Sequence, residues 1–101
     1  MSVMRAACLL AGVLALGQAT GHDLSQDEAL RLRQLGVILP LEALSAKALA
    51  RHEGAVFLEA ELEQHNRRYI YEIEVLLPDG QVRELEFDAV TGDLLVDKED
   101  D

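Results

Sequence analysis

The chain has 101 residues, room for one domain, and sets 19 Asp and Glu against 9 Lys and Arg for a net charge of −10. Such a balance argues against nucleic acid and anionic lipid as partners and points to a basic protein surface or to cations. With Cys8 as its single cysteine, the chain has no internal disulfide framework.

Arg5 followed by the apolar run Ala6 to Gly17 (AACLLAGVLALG) has the form of a signal peptide, too short to span a bilayer and succeeded at once by polar sequence. Small residues suit cleavage before Gln18, Thr20 or His22, and we take the cut after Ala19, so that residues 1–19 form the leader and the product is periplasmic, without membrane attachment. An uncleaved leader would instead tether the domain to the inner membrane. Cys8 has no apolar stretch before it, which speaks against lipid attachment. Cleavage removes Arg5 and no acid, so the excess of acids grows by one. The remaining chain would be free of cysteine, with packing alone to hold a domain that buries roughly 60 to 65% of its unfolded surface.

The N-terminal segment 20–40 reads as a helix and a connector. Ser25 can cap, Glu28 completes a capping box, and Leu24 with Ala29 can form an apolar staple. The helix runs from about Gln26 to Leu35, with Asp27 and Glu28 in its first turn, Arg31 and Arg33 later, and Gly36 at its end. Ala29, Leu32 and Leu35 form its expected buried stripe. Val37-Ile38-Leu39 is a short apolar connector, and Pro40 suits the first position of a second helix, Leu41 to about His52, whose buried face holds Leu41, Leu44 and Ala48. Glu53-Gly54 ends it.

From Ala55 the period changes to two. Val56, Leu58, Ala60 and Leu62 alternate with Phe57, Glu59, Glu61 and Glu63; Tyr69, Tyr71, Ile73 and Val75 with Ile70, Glu72 and Glu74; Leu85 and Phe87 with Glu84, Glu86 and Asp88. Pro78-Asp79-Gly80 is a three-residue hairpin loop, Ala89 to Gly92 the next turn, and Asp93 to Val96 a short closing strand. Residues 41–97 make the domain proper, and Lys98 to Asp101 read as a frayed acidic tail. The fold class is α+β, with one or two short helices packed on a three- to four-stranded antiparallel sheet.

The Pro78 loop opposes Leu77 to Gln81, hence Ile73 to Leu85, Tyr71 to Phe87, Glu74 to Glu84 and Glu72 to Glu86. Turn chemistry and binary pattern agree on this register. In the preceding hairpin, a loop around His65-Asn66 would oppose Leu62 to Tyr69, Leu58 to Ile73 and Glu59 to Glu72. The outer face then carries a row Glu59, Glu72, Glu86 beside the pair Glu74 and Glu84. These five glutamates are the candidate partner-binding residues. They could receive a basic surface or hold divalent cations weakly, since no enclosing loop accompanies them. The plain alternative is a solvated face that keeps a small protein soluble.

The order Tyr69-Ile70-Tyr71-Glu72-Ile73-Glu74-Val75, then Asp79-Gly80, then Glu86-Phe87-Asp88-Ala89-x-Thr91-Gly92-Asp93-Leu94-Leu95 resembles the PepSY domain, over roughly Glu42 to Val96. It is most similar to the short periplasmic stand-alone members of Gram-negative bacteria. The resemblance implies helix packed on antiparallel sheet and a role in restraining or modulating peptidases, with no catalytic residues and no cofactor. No peptidase domain accompanies this copy, so its target, a peptidase or another envelope protein, is expected in trans.

Catalytic chemistry has little to stand on. Ser25 and Ser45 are explained by capping and helix surface, no Cys/His pair survives cleavage, and no Gly-rich loop follows a strand. His52 and His65 read as ordinary exposed residues, without metal-ligand spacing. His22 is the exception. Cleavage after Ala19 would leave Thr20-Gly21-His22 at the terminus, whose amine, amides and imidazole suit Cu(II) or Ni(II) in a square plane. The alternative class to a protein-binding module is therefore a cation-responsive or metal-buffering protein.

Overall fold

The computed structural model describes residues 21–100. The leader, Thr20, the side chain of His22 and Asp101 lie outside the described residues. Elements follow in the order β1 (Gly21–Asp23), α1 (Gln26–Gln34), α2 (Leu41–Arg51), β2 (Val56–His65), β3 (Arg68–Leu76), β4 (Val82–Asp88) and β5 (Leu94–Glu99). The strands form one antiparallel meander, β1-β2-β3-β4-β5, with the helices on one face. Four long strands carry the α+β architecture, and the three-residue β1 extends the sheet beside the end of β2.

The α1 start is set by reciprocal bonds: the Glu28 N–H donates to Ser25 Oγ at 3.1 Å, and the Ser25 N–H to Glu28 Oε1 at 3.2 Å. Two of the amides that a helix start leaves unpaired are thereby satisfied. The helix nevertheless buries no side chain fully. Ala29 and Leu32 pack against the core, but Leu35, expected in the stripe, is 68% exposed. It stands at the C-cap, where the chain turns away through Gly36 at φ +76°.

The connector belongs to the core. Ile38 is buried, the Leu39 N–H donates to the Ala89 carbonyl at 2.8 Å, and the Tyr71 hydroxyl donates to the Leu39 carbonyl at 3.0 Å. Pro40 is the N-cap of α2, one residue earlier than its expected place. From there Leu44 and Ala48 drop onto Tyr71, Ile73, Val75, Leu85, Phe87 and Ala89, all buried. This is the hydrophobic centre, and its burial is what makes an 11-residue helix stable.

The β3–β4 register is the one the loop demands: Tyr71 opposes Phe87, Glu72 opposes Glu86, Ile73 opposes Leu85 and Glu74 opposes Glu84. In the β2–β3 hairpin the pairing differs by two residues from the expected one. Leu62 opposes Tyr71 rather than Tyr69, Ala60 rather than Leu58 opposes Ile73, and Glu61 rather than Glu59 opposes Glu72. The turn is the tight pair Asn66-Arg67, both with positive φ (44° and 70°), which gives the twist a two-residue hairpin needs. A β-bulge between Phe57 and Glu59 then lets Phe57 oppose Val75.

At the other end, the turn after β4 is built on Asp88, whose Oδ1 accepts the N–H groups of Val90 and Thr91 at 2.8 and 3.0 Å. Gly92 has φ +84°, and a Cβ there would lie 3.1 Å from Leu39 Cδ1 and 3.3 Å from Lys47 Nζ. The positive φ therefore favours glycine, and a Cβ would in addition push the ends of the Leu39 and Lys47 side chains aside by a few tenths of an ångström. A bulge between Glu86 and Phe87 sets Leu94 opposite Phe87, so Leu94 reaches the core while Leu95 is exposed. The strand continues to Glu99, and the Asp100 N–H donates to Val82 at 2.9 Å, so Lys98 and Glu99 are sheet residues instead of a frayed tail.

Candidate functional site

The face of the sheet away from the helices carries the carboxylates. Its register arranges them in two rows, Glu61–Glu72–Glu86 and Glu59–Glu74–Glu84. The expected row Glu59–Glu72–Glu86 is thus corrected: Glu59 joins Glu74 and Glu84, and Glu61, which the displaced register left out, stands beside Glu72. Glu63 and Asp23 oppose each other at the β1 end of the face. Lys98 faces Glu84 across β4 and β5. Because the slip is an even number of residues, every glutamate stays on its expected face.

Carboxylate oxygens of Glu72, Glu84 and Glu86 lie within 4.8 Å of one another, and so do those of Asp23, Glu61 and Glu63. Crowding raises their proton affinity. Glu72 is pushed up to about 9, first by a hydrogen bond with Glu84, then by burial and by Glu63. Glu74 is pushed up to about 7, chiefly by a hydrogen bond with Asp100 and then by burial. Burial and then Glu84 raise Glu86, and burial with Asp23, Glu63 and Glu59 raises Glu61. A shared proton between two carboxylates removes one of two repelling charges, which is the physical content of these shifts.

The rim is built differently. Asp97, opposite the core residue Leu85, binds Arg51 Nε at 2.9 Å, His52 Nε2 at 2.9 Å and Arg83 Nε at 2.9 Å. Burial alone would raise this carboxyl, but Arg51, His52 and Arg83 hold it below the ordinary value. His52 is therefore a structural partner tying α2 to β5 rather than an ordinary exposed residue. His65 likewise meets Glu63 Oε1 at 2.9 Å through Nε2. The Asp88 carboxyl, which burial would also raise, is held low by the amides of Thr91 and Val90 and by Arg68, whose Nε lies 3.3 Å away.

The acidic face opens to solvent, with a shallow depression of about 460 Å³ lined by His65, Asn66, Arg68, Ile70 and Glu86 near the β2–β3 turn, and Ile70 lies buried among its strands. Chemically it can share protons, attract cations and receive a basic surface. No helix among the described residues is long and apolar enough to cross a membrane. Fold and surface together define a small helix-on-sheet domain with one acidic face. Residues 38–95 match the family described as PepSY, the peptidase propeptide and YPEB domain, and the chain belongs to that family. Its domains are generally non-catalytic, propeptide-like modules, typically extracellular or periplasmic, and a regulatory or binding role beside a peptidase is what membership suggests. No curated protein and no solved structure matches the chain.

Proposed function

We propose that this protein is an exported periplasmic module, released by cleavage of its leader, that binds and modulates a peptidase or another envelope protein presenting a basic surface. The observation that supports this reading is the concentration of Glu59, Glu72, Glu74, Glu84 and Glu86, with Glu61, on one open face of the sheet. Opposed carboxylates on a sheet either repel, at a few tenths of a kcal/mol per pair, or share a proton, and a cationic partner would relieve either arrangement on binding. The attraction acts over roughly 8 to 10 Å at physiological salt, so it favours encounter as well as affinity.

The test is capture of periplasmic peptidases on the purified exported protein, together with their rates on casein with and without it. Capture and a changed rate, both lost at high salt and in a Glu59→Gln, Glu72→Gln, Glu86→Gln variant, are expected. Unchanged rates with no captured peptidase or envelope protein overturn the reading.

A second reading, a cation-responsive protein, draws on the carboxylate groups around Glu72 and Glu61. Oxygen ligands of this kind suit calcium or magnesium, and without an enclosing loop they would bind weakly. Calorimetry with both ions decides it. A dissociation constant well below millimolar, with a raised melting temperature, would bring this reading to the fore.

A further inference from the structure

The two flanks of the sheet are not equally covered. β1 pairs only with Glu63–His65, and the last bond on that side is the Leu24 N–H donating to the Leu62 carbonyl at 2.9 Å. The chain then leaves for α1. No strand runs beside Val56–Glu61 on that flank among the described residues. In an antiparallel ladder the bonding direction alternates, so Ala60 turns its N–H and C=O the same way as Leu62, toward the uncovered side. The strand also begins with three consecutive exposed large apolar residues, Val56, Phe57 and Leu58 at 55, 40 and 45%. Such a run on an open edge marks an interaction surface.

Beside this edge, under α1, lies a cavity of about 570 Å³ whose lining includes Leu24, Leu30, Leu41, Ala60, Leu62 and Tyr71. A strand laid along β2 would therefore meet two different environments. Its side chains beside Ala60 and Leu62 would enter this cavity, whose apolar wall of Leu24, Leu30, Leu41 and Leu62 is rimmed by Asp23, Asp27 and Arg33, whereas those beside Glu59 and Glu61 would stand on the acidic face, because side chains alternate between faces.

We propose that the β2 edge takes an extended segment of a partner protein in which apolar residues alternate with Lys or Arg, added as a strand in line with β1. Charge complementarity selects this occupant. A second copy of the same edge would set glutamate near glutamate, so Glu59 and Glu61 guard against self-pairing while admitting a basic strand. The proposal deepens the binding role above by naming the partner's chemistry and its mode of docking.

The experiment measures fluorescence polarisation of labelled octapeptides with the purified exported protein: alternating Lys-Val, the same composition in blocks, and alternating Glu-Val. The alternating Lys-Val peptide is expected to bind at least tenfold more tightly than either of the others. A Glu59→Lys, Glu61→Lys variant changes two exposed positions and is expected to reverse the preference to Glu-Val. An Ala60→Pro variant, which removes the outward N–H, is expected to lose binding tenfold, with circular dichroism checking its fold. Equal binding of alternating and block peptides, or no reversal in the lysine variant, overturns the proposal. Glu72→Gln with Glu86→Gln separates it from the broader reading. Peptide binding should change less than twofold there, whereas effects on a peptidase through the acidic face should fall. A peptidase effect without peptide binding sinks the strand-addition proposal alone, and peptide binding without any partner effect sinks the regulatory reading alone.

Discussion

Under α2 the sheet is sealed: Ile73, Val75, Leu85 and Ala48 are 0% exposed, and Phe87 and Leu44 1%. Under α1 it is not, for that helix buries none of its side chains fully and leaves Leu30 45% and Leu35 68% in water. Both helices are short and both are amphipathic. What separates them is the sheet beneath. α2 lies over the central strands, whose inward residues are large and apolar, and it is pinned at its far end by Arg51 and His52 on Asp97. α1 lies over the uncovered flank of β2, where Ala60 leaves room. Stability is therefore concentrated in one half of the domain, and the other half has surface to spare for binding.

The largest loss of stability is expected in the sealed half. Phe87→Ala is expected to cost about 3 to 5 kcal/mol in urea unfolding, because a buried aromatic leaves a cavity. Leu30→Ala in α1 should cost under about 0.5 kcal/mol by the same measurement, as exposed substitutions do. Comparable losses would show that α1 is no less embedded than α2.

Next in size is the rim. Asp97→Ala leaves Arg83 and His52 without their carboxylate, and a loss of about 2 kcal/mol is expected from half-buried donors left without an acceptor. Amide exchange should then rise in α2 and β5 together. At the start of α1, Ser25→Ala removes the cap and should cost about 1 kcal/mol of local stability. It should appear as faster amide exchange confined to α1, with the global unfolding midpoint unchanged.

The smallest expected effect concerns the acidic face. Glu72 and Glu74 are raised from 4.5 to about 9 and about 7, so the folded protein keeps protons that the unfolded chain releases. Their contribution to stability is full below about pH 4.5 and is lost as pH rises through about 7 and then about 9. Asp88 and Asp97 act oppositely, since their lowered values make stability fall as pH drops below 3.8. Thermal unfolding is thus expected to show declining stability from about pH 5 to pH 8. Glu72→Gln should flatten that decline and add about 0.5 kcal/mol at the upper end, a figure kept small because the face is largely in water. A variant as pH-sensitive as the parent would show that the carboxylates are too well solvated to share protons.

How far the sequence could be read differs between the two hairpins for a definite reason. In β3–β4, Pro78-Asp79-Gly80 and the alternation from Tyr71 to Phe87 are independent constraints with one common solution. In β2–β3, a two-residue displacement keeps every side chain on its face, so alternation has no power to exclude it. Only the turn decides, and Asn66 followed by Arg67 is a weak signal because arginine seldom adopts positive φ. Hence the acidic face and its pairs Glu72–Glu86 and Glu74–Glu84 were legible, whereas Glu61 beside Glu72 required the true turn. The Asp97 cluster was hidden more deeply, since Arg51, His52, Arg83 and Asp97 come from three elements separated by up to 46 positions.

By itself, then, the sequence determined the helix starts, the period change at Ala55, the division of the strands into an apolar and an acidic side, and membership of the family. These are local properties, dictated by capping geometry, two-residue alternation and the φ preferences of glycine and proline. The tertiary structure alone decided that Glu61 and Glu59 stand beside Glu72 and Glu74, that β1 covers only the end of β2, and that α1 leaves a cavity beside an uncovered edge. Those outcomes depend on the placement of bulges and turns, where a displacement of one or two residues costs little locally and changes every cross-strand partner.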